Sequence, residues 1–251
     1  PVHGTGGSPV VVRNILFFSC DAGSNPFVVA LDKKTGKVRW RKDRNIEVSR
    51  TFSFSTPAVI RVNGQTQIIS PGSGAVIAYD PADGSEIWKV RYGQGYSVVP
   101  RPVYAHGLVY VCSGFNQAIL HAIDPTGKGD VTETHVKWKH NKSVPKSASI
   151  LAIGDEIFMV ADKSFATCLD AKTGRIHYQE RVEGGYSTSP TFADGRIYIT
   201  NEEGKTTVLA PGKKFKILAE SDMAERTLAS FAVADGTIFL RSQEALYRIG
   251  K

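Results

Sequence analysis

Four aspartates are the first side chains in this 251-residue sequence that could do chemistry: Asp32, Asp80, Asp124 and Asp170. Grouped carboxylates act as general acid and base, or hold a hard cation. Their spacing argues for neither. They step by 48, 44 and 46 residues, and each sits in the same phrase: ALDKKTGKVRW at 30–40, AYDPADGSEIW at 78–88, AIDPTGKGDVTETHVKW at 122–138 and CLDAKTGRIHY at 168–178. Asp at the head of such a turn accepts hydrogen bonds from N–H groups two or three residues on, and Gly36, Gly84 and Gly174 supply the left-handed conformation that closes it. The aspartates are therefore predicted to be turn residues, one per repeat and far apart.

The remaining candidates are thinner. His135 and His140 lie five apart, which in a strand sends them to opposite faces. His3, His106, His121 and His177 are scattered, so no metal site is expected. Cys20, Cys112 and Cys168 have no framework spacing and read as small buried residues. HGTGG (3–7) and GQG (93–95) precede strands, whereas a phosphate cradle needs a helix N-terminus. The serines of SFSTP (53–57) and YSTSP (186–190) recur with the repeat, so they read as turn chemistry at a strand start.

Repetition at this period decides the architecture. Six units overlay, at about 8–48, 52–92, 96–142, 147–183, 187–220 and 229–251. Each opens with two apolar strands around a tight turn: Asn63-Gly64, His106-Gly107, Asp194-Gly195 or Asp235-Gly236, the strongest short hairpin signal. A third strand follows (FVVALD, 27–32, is one), then a fourth ending in an aromatic; KFKIL (214–218) is its counterpart in unit five. Four strands fill the period and leave no room for a helix, so the fold class is all-β, a β-propeller of four-stranded antiparallel blades in one domain over 1–251. The sixth unit stops after its third strand. The expectation is that the missing strand lies upstream of Pro1, in a ring of seven or eight blades.

Net charge is +7, from 31 Lys and Arg against 24 Asp and Glu. The run KKTGKVRWRKDR (33–44) holds seven of those cations. It falls on a fourth strand, where Lys guards an exposed edge; the rival reading is a footprint for phosphate or anionic lipid. No apolar run is long enough to span a bilayer as a helix.

The motif A-L-D-x-x-T-G-x-x-x-W, preceded by an S-P-x-x-x-x-G-x-I-Y strand pair, resembles the repeat of the pyrroloquinoline-quinone (PQQ)-like β-propellers. The resemblance implies that Trp40, Trp88 and Trp138 dock on the neighbouring blade, with Tyr178 a substitute. Unit five departs from the pattern, with Ala210-Pro211-Gly212 and no matching aromatic. Quinoprotein dehydrogenases of this superfamily hold the quinone over a vicinal disulfide with Ca²⁺; this chain has no adjacent cysteines, so no cofactor is expected. Another branch resembles the propeller scaffold of the bacterial outer-membrane assembly machine. The resemblance to it implies an extracytoplasmic, non-catalytic protein with a protein partner, and no specific nucleic acid. A degenerate dehydrogenase and a sugar- or polyanion-binding module are the alternatives. In a propeller, the loops leading into each inner strand converge around the central channel. Arg50, Tyr96, Arg101, Lys146, Tyr186 and Arg226 on those loops are expected to form a positive, aromatic-lined funnel.

Overall fold

Alternating apolar residues cut by two-residue turns lay the chain out as short strands. The computed structural model describes Gly4 and residues 6–21 and 23–250, and no helix occurs among them. The structure has two compact units, residues 1–141 and 142–251. In the first, blade 1 comprises β1 (Val10–Val12), β2 (Ile15–Cys20), β3 (Phe27–Asp32) and β4 (Val38–Asp43). Blade 2 comprises β5 (Ala58–Val62), β6 (Gln65–Pro71), β7 (Ala75–Tyr79) and β8 (Glu86–Arg91). Blade 3 comprises β9 (Val103–Ala105), β10 (Leu108–Cys112), β11 (Leu120–Ile123) and, after the short β12 (Gly129–Asp130), β13 (Val136–His140).

The second unit holds blade 4 as β14 (Leu151–Ile153), β15 (Glu156–Ala161), β16 (Phe165–Asp170) and β17 (Ile176–Arg181). Blade 5 follows as β18 (Thr191–Ala193), β19 (Arg196–Thr200), β20 (Lys205–Leu209) and β21 (Ile217–Asp222). Blade 6 is β22 (Ala232–Ala234), β23 (Thr237–Arg241) and β24 (Leu246–Ile249), three strands as the sequence implies. Successive strands of a blade pair antiparallel. One expectation is corrected. The fourth strand of unit five begins at Ile217, because Lys214–Lys216 are used up in the turn. In unit three the short β12 leaves its own blade and pairs parallel with β8 of blade 2. The Gly-rich start of the chain, including His3, lies partly outside the described residues.

The hairpin turns behave as their residues demand. Asn63 and Gly64, His106 and Gly107, Asp194 and Gly195, and Asp235 and Gly236 all have positive φ. The Asp turns are equally local. Asp32 Oδ1 accepts from the N–H of Lys34 (3.1 Å) and Thr35 (2.9 Å) and from the Thr35 hydroxyl (3.0 Å), and Asp170 repeats the pattern with Lys172 and Thr173. Gly36 and Gly174 return their N–H to the Asp carbonyl at 2.8 and 2.9 Å.

Each four-stranded blade then slips register by one residue between its third and fourth strands. The extra residue is Arg39, Ile87, Lys137, His177 or Leu218, always the one before the aromatic position. Such a bulge bends the strand and re-aims its side chains. In blades 1 and 3 it turns a cation back onto the turn carboxylate: Arg39 to Asp32 at 2.7 Å and Lys137 to Asp124 at 3.1 Å. Arg39, followed by Thr35, holds the Asp32 carboxyl well below the usual range.

Docking follows from that bend. The Trp40 indole N–H reaches the Pro81 carbonyl of blade 2 (3.1 Å), and its ring lies over Gly84. Trp88 is fully buried and donates to Gln67 Oε1 at 2.8 Å, while Gln67 Nε2 donates to the Pro125 carbonyl of blade 3. Tyr178 meets Phe215, on the segment joining the third and fourth strands of blade 5, edge-on at 5.5 Å. Trp138 is half-buried with its ring 5.8 Å from Tyr110 of its own blade. In blade 5 the aromatic position is held by Ala219.

One member of the basic run is not a rim residue. Arg44, at the end of β4, is buried, 2% exposed, and forks onto Asp21 (Nε–Oδ1 2.5 Å, Nη2–Oδ2 2.8 Å). It also donates to the Ser70 hydroxyl and carbonyl of blade 2. Gly72 makes this possible, since a Cβ there would lie 2.8 Å from Arg44 Cζ. Burial pushes the Asp21 carboxyl up and the guanidinium pulls it back.

His121 on β11 is expected to make the first unit sensitive to acid. Burial, with Lys139 directly opposite on β13, holds its pKa down to about 4 from 6.5. A histidine depressed on folding stabilises fully above its unfolded pKa and loses that contribution as pH falls toward the folded one. Urea unfolding at a series of pH values is expected to show stability falling between 6.5 and 4, and less steeply in His121→Leu. Identical slopes in parent and variant would refute the assignment.

Candidate binding surface on the loops

The segments leading into successive first strands zip to one another. In the first unit the Phe54 N–H donates to the Val98 carbonyl (2.8 Å) and the Ser97 N–H to that of Phe52 (2.9 Å). Ser53 and Ser55 hydroxyls donate to the carbonyls of Val98 (3.2 Å) and Pro100 (2.8 Å). The Ser8 N–H donates to Thr56 Oγ1, just before the next proline. In the second unit the same tie recurs, from the Ser149 N–H to Ser189 Oγ (2.9 Å) and from the Ser189 N–H to Ser230 Oγ (2.8 Å). The recurrent serines, read from sequence as turn formers, are therefore links between neighbouring blades. The loops they join are held by backbone and hydroxyl bonds, so their outward side chains project from a stiff base.

The six expected funnel residues divide three and three between the units. In the first, Arg50 is exposed and stacks over Tyr96, Cζ 4.7 Å from the ring centre, while Nη1 donates to the Tyr96 hydroxyl at 2.7 Å. Tyr96 is buried, 7% exposed; its hydroxyl also donates to Asn116 Oδ1 (3.3 Å), and Phe52 meets its ring edge-on at 5.4 Å. Phe115 lies 5.9 Å from Tyr96 with 47% of its surface exposed. Its N–H donates to the Tyr96 carbonyl, and Asn116 beside it holds φ 70. Asparagine is among the few residues other than glycine that adopt this left-handed conformation readily. Arg101 is exposed on the far side of Pro100. The structure thus joins Arg50 and Tyr96 and adds Phe115 and Asn116, which no repeat signal marks.

In the second unit Lys146 is half-buried, with its N–H on Asp162 Oδ2 at 2.7 Å. Tyr186 corrects the expectation: it is 1% exposed and packs with Phe158, Val160, Ile197 and Ile199. An aromatic beside a Gly-Gly reads as a surface residue, but here it fills the core between blades 4 and 5. Arg226 is exposed, 3.9 Å from Glu202, and with Arg241, Leu228 and Gln243 lines a cavity of about 280 Å³. Among the described residues no three His, Cys, Asp or Glu side chains converge as a metal site.

Against this geometry stand the likenesses to known proteins. The family model described as outer membrane protein assembly factor BamB matches residues 1–164 and 118–243. A curated relative, outer membrane protein assembly factor BamB of Francisella salina, is 24% identical over 190 residues, covering 72% of this chain and 32% of its own length. This chain thus spans about a third of that relative. The crystal structure of BamB from Moraxella catarrhalis superposes with a TM-score of 0.60 at 14% identity, over 94% of this chain and 81% of that one. Quinohemoprotein alcohol dehydrogenase from Comamonas testosteroni superposes at 0.68, also at 14% identity, over 98% and 52%. Likeness at that identity shows a shared propeller fold.

Proposed function

The chain belongs to the outer membrane protein assembly factor BamB family of PQQ-like propeller repeats, and from that premise we propose that it is a non-catalytic, extracytoplasmic scaffold that binds a protein partner of outer-membrane assembly through its loops. The observation that carries the reading is the Arg50–Tyr96–Phe115 cluster: a cation fixed over a buried ring beside a half-exposed phenyl group. Arginine and aromatic side chains on a preorganised surface are the groups that dominate protein interfaces. Among the described residues no helix is long and apolar enough to cross a membrane, which says nothing of a β-barrel.

The residues do not fit a quinone cradle of the dehydrogenase kind. Cys20, Cys112 and Cys168 are free and lie in blades 1, 3 and 4, so no vicinal disulfide can form. We therefore read the protein as working without the quinone. Spectroscopic titration with PQQ and Ca²⁺ tests this, and a saturable change would restore the dehydrogenase reading.

The scaffold reading is tested by the affinity of the chain for purified outer-membrane assembly proteins from the same cells. Arg50→Ala combined with Phe115→Ala is expected to weaken binding by about tenfold or more, with the melting temperature kept. Undiminished binding by the double variant, or no binding by the parent, would remove the assignment.

A further inference from the structure

The two units differ in charge. Residues 1–141 carry 16 Lys and Arg against 10 Asp and Glu, and residues 142–251 carry 15 against 14. Much of the excess lies along one strand edge, β4 and the turn before it. Lys33, Lys34, Lys37, Arg39, Arg41 and Lys42 are all exposed there, and Asp32 and Asp43 are the only carboxylates of that segment. Asp32 is already held by Arg39 and Thr35, and Asp43 lies 3.6 Å from Arg41. Arg41 is braced over the Phe27 ring at 3.7 Å. Lys34 and Lys37 make no ion pair among the described residues.

Guarding an open edge does not account for this density. β21 is the edge strand of blade 5 and reads ILAESD, with no cation and with Ile217 and Leu218 exposed. β17 carries one arginine beside a glutamate. If lysine were needed on every open edge, those strands would carry it.

Two further features lie at this edge. The first hairpin of blade 1 turns on Arg13 at φ 52, where four other hairpins use Asn, His or Asp followed by Gly. Arg13 and Arg39 line a cleft of about 220 Å³ with Asn14, Pro81 and Ala82, and Lys33 Nζ donates to the Arg13 carbonyl at 2.8 Å. The turn thus carries an arginine at the end of the basic edge, where four other blades have Asn, His or Asp. Asp83, which follows Ala82 in the chain, accepts from the Ser85 N–H at 2.9 Å. At the tip, Val38 is 64% exposed between Lys37 and Arg39.

We propose that the β4 edge of blade 1 docks on an anionic phospholipid surface, with the Arg13–Arg39 cleft receiving a phosphate-bearing headgroup. A row of cations with one protruding apolar side chain matches a headgroup layer, where each added cation strengthens binding. Single-stranded nucleic acid fits less well, because no exposed aromatic interleaves the cations for base stacking. The inference does not rest on the loop cluster, which lies elsewhere in the unit.

The test is sedimentation of the full chain with vesicles of phosphatidylcholine alone and of phosphatidylcholine with phosphatidylglycerol, at low and high salt. Binding is expected to the anionic vesicles only, and to fall with salt. Lys34→Glu with Lys37→Glu reverses two side chains that hold nothing in place, so it should lower vesicle affinity more than about tenfold with unchanged melting. Equal binding to neutral vesicles, full retention by the double variant, or capture by heparin but not by anionic vesicles would each overturn the proposal.

Discussion

Arg44→Met is expected to destabilise the first unit by about 3–5 kcal/mol, because it strands the buried Asp21 carboxylate. Both side chains are about 2% exposed, and the guanidinium fills its site with a fork to Asp21 and bonds to Ser70. The sign of the pH response separates a stranded charge from lost packing. Without Arg44, burial alone acts on Asp21 and raises its pKa further. A carboxyl raised on folding favours the folded state below its unfolded pKa and opposes it as pH rises. The defect should therefore be largest at neutral pH and shrink on acidification. Asp21→Asn in the same chain should recover most of the loss, since no charge is then left unpaired. Chemical denaturation of the parent, the single variants and the double variant at two pH values measures all of this. A pH-independent defect, or a double variant no better than Arg44→Met, would show that the pair matters only as packing.

Trp88→Ala is expected to cost about 3–5 kcal/mol, the range for emptying a buried aromatic site. The indole is fully buried among Ile69, Val76, Val90 and Val111, which belong to blades 2 and 3. Its removal also leaves Gln67 Oε1 without its donor, so Trp88→Phe should recover part of the loss but not all of it. Trp138→Ala, at the same repeat position but half-buried, should cost clearly less. Calorimetric melting of the three variants checks the order. Equal losses at 88 and 138 would mean that repeat position, rather than burial, sets the value of the indole.

What the sequence made legible was local. An Asp, a Thr and a Gly within five residues close a turn by themselves, so Asp32 and Asp170 could be assigned without any tertiary information. Asn63-Gly64 likewise declares a hairpin through its own backbone preferences. Pairings across 20 or more residues were hidden. Arg44 stands in a run of exposed cations and nothing near it marks its burial; its partner Asp21 follows a cysteine in another strand-to-loop junction. Tyr186 sits among glycines and serines, yet packs into apolar side chains from two blades. KFKIL reads as a fourth strand, yet its Phe215 belongs to the turn that receives Tyr178, because the strand starts only at Ile217. Of the expected binding residues, Arg50 and Tyr96 do meet. Phe115 and Asn116, which complete the cluster, lie in a segment whose sequence carries no periodic signal.

The strand β12 has a consequence for how this chain could have been assembled. Repeats that grow by duplication can be copied, lost or shuffled one at a time if each carries all its own hydrogen-bonding partners. Here the third repeat lends Gly129–Asp130 to the second and adds Arg91–Asp130 and Arg91–Thr132 contacts across the seam. Excising either repeat alone would leave β8 bare or strand the inserted segment. Repeats two and three are thereby tied into a single heritable block, and recombination that respects the fold must cut on either side of it.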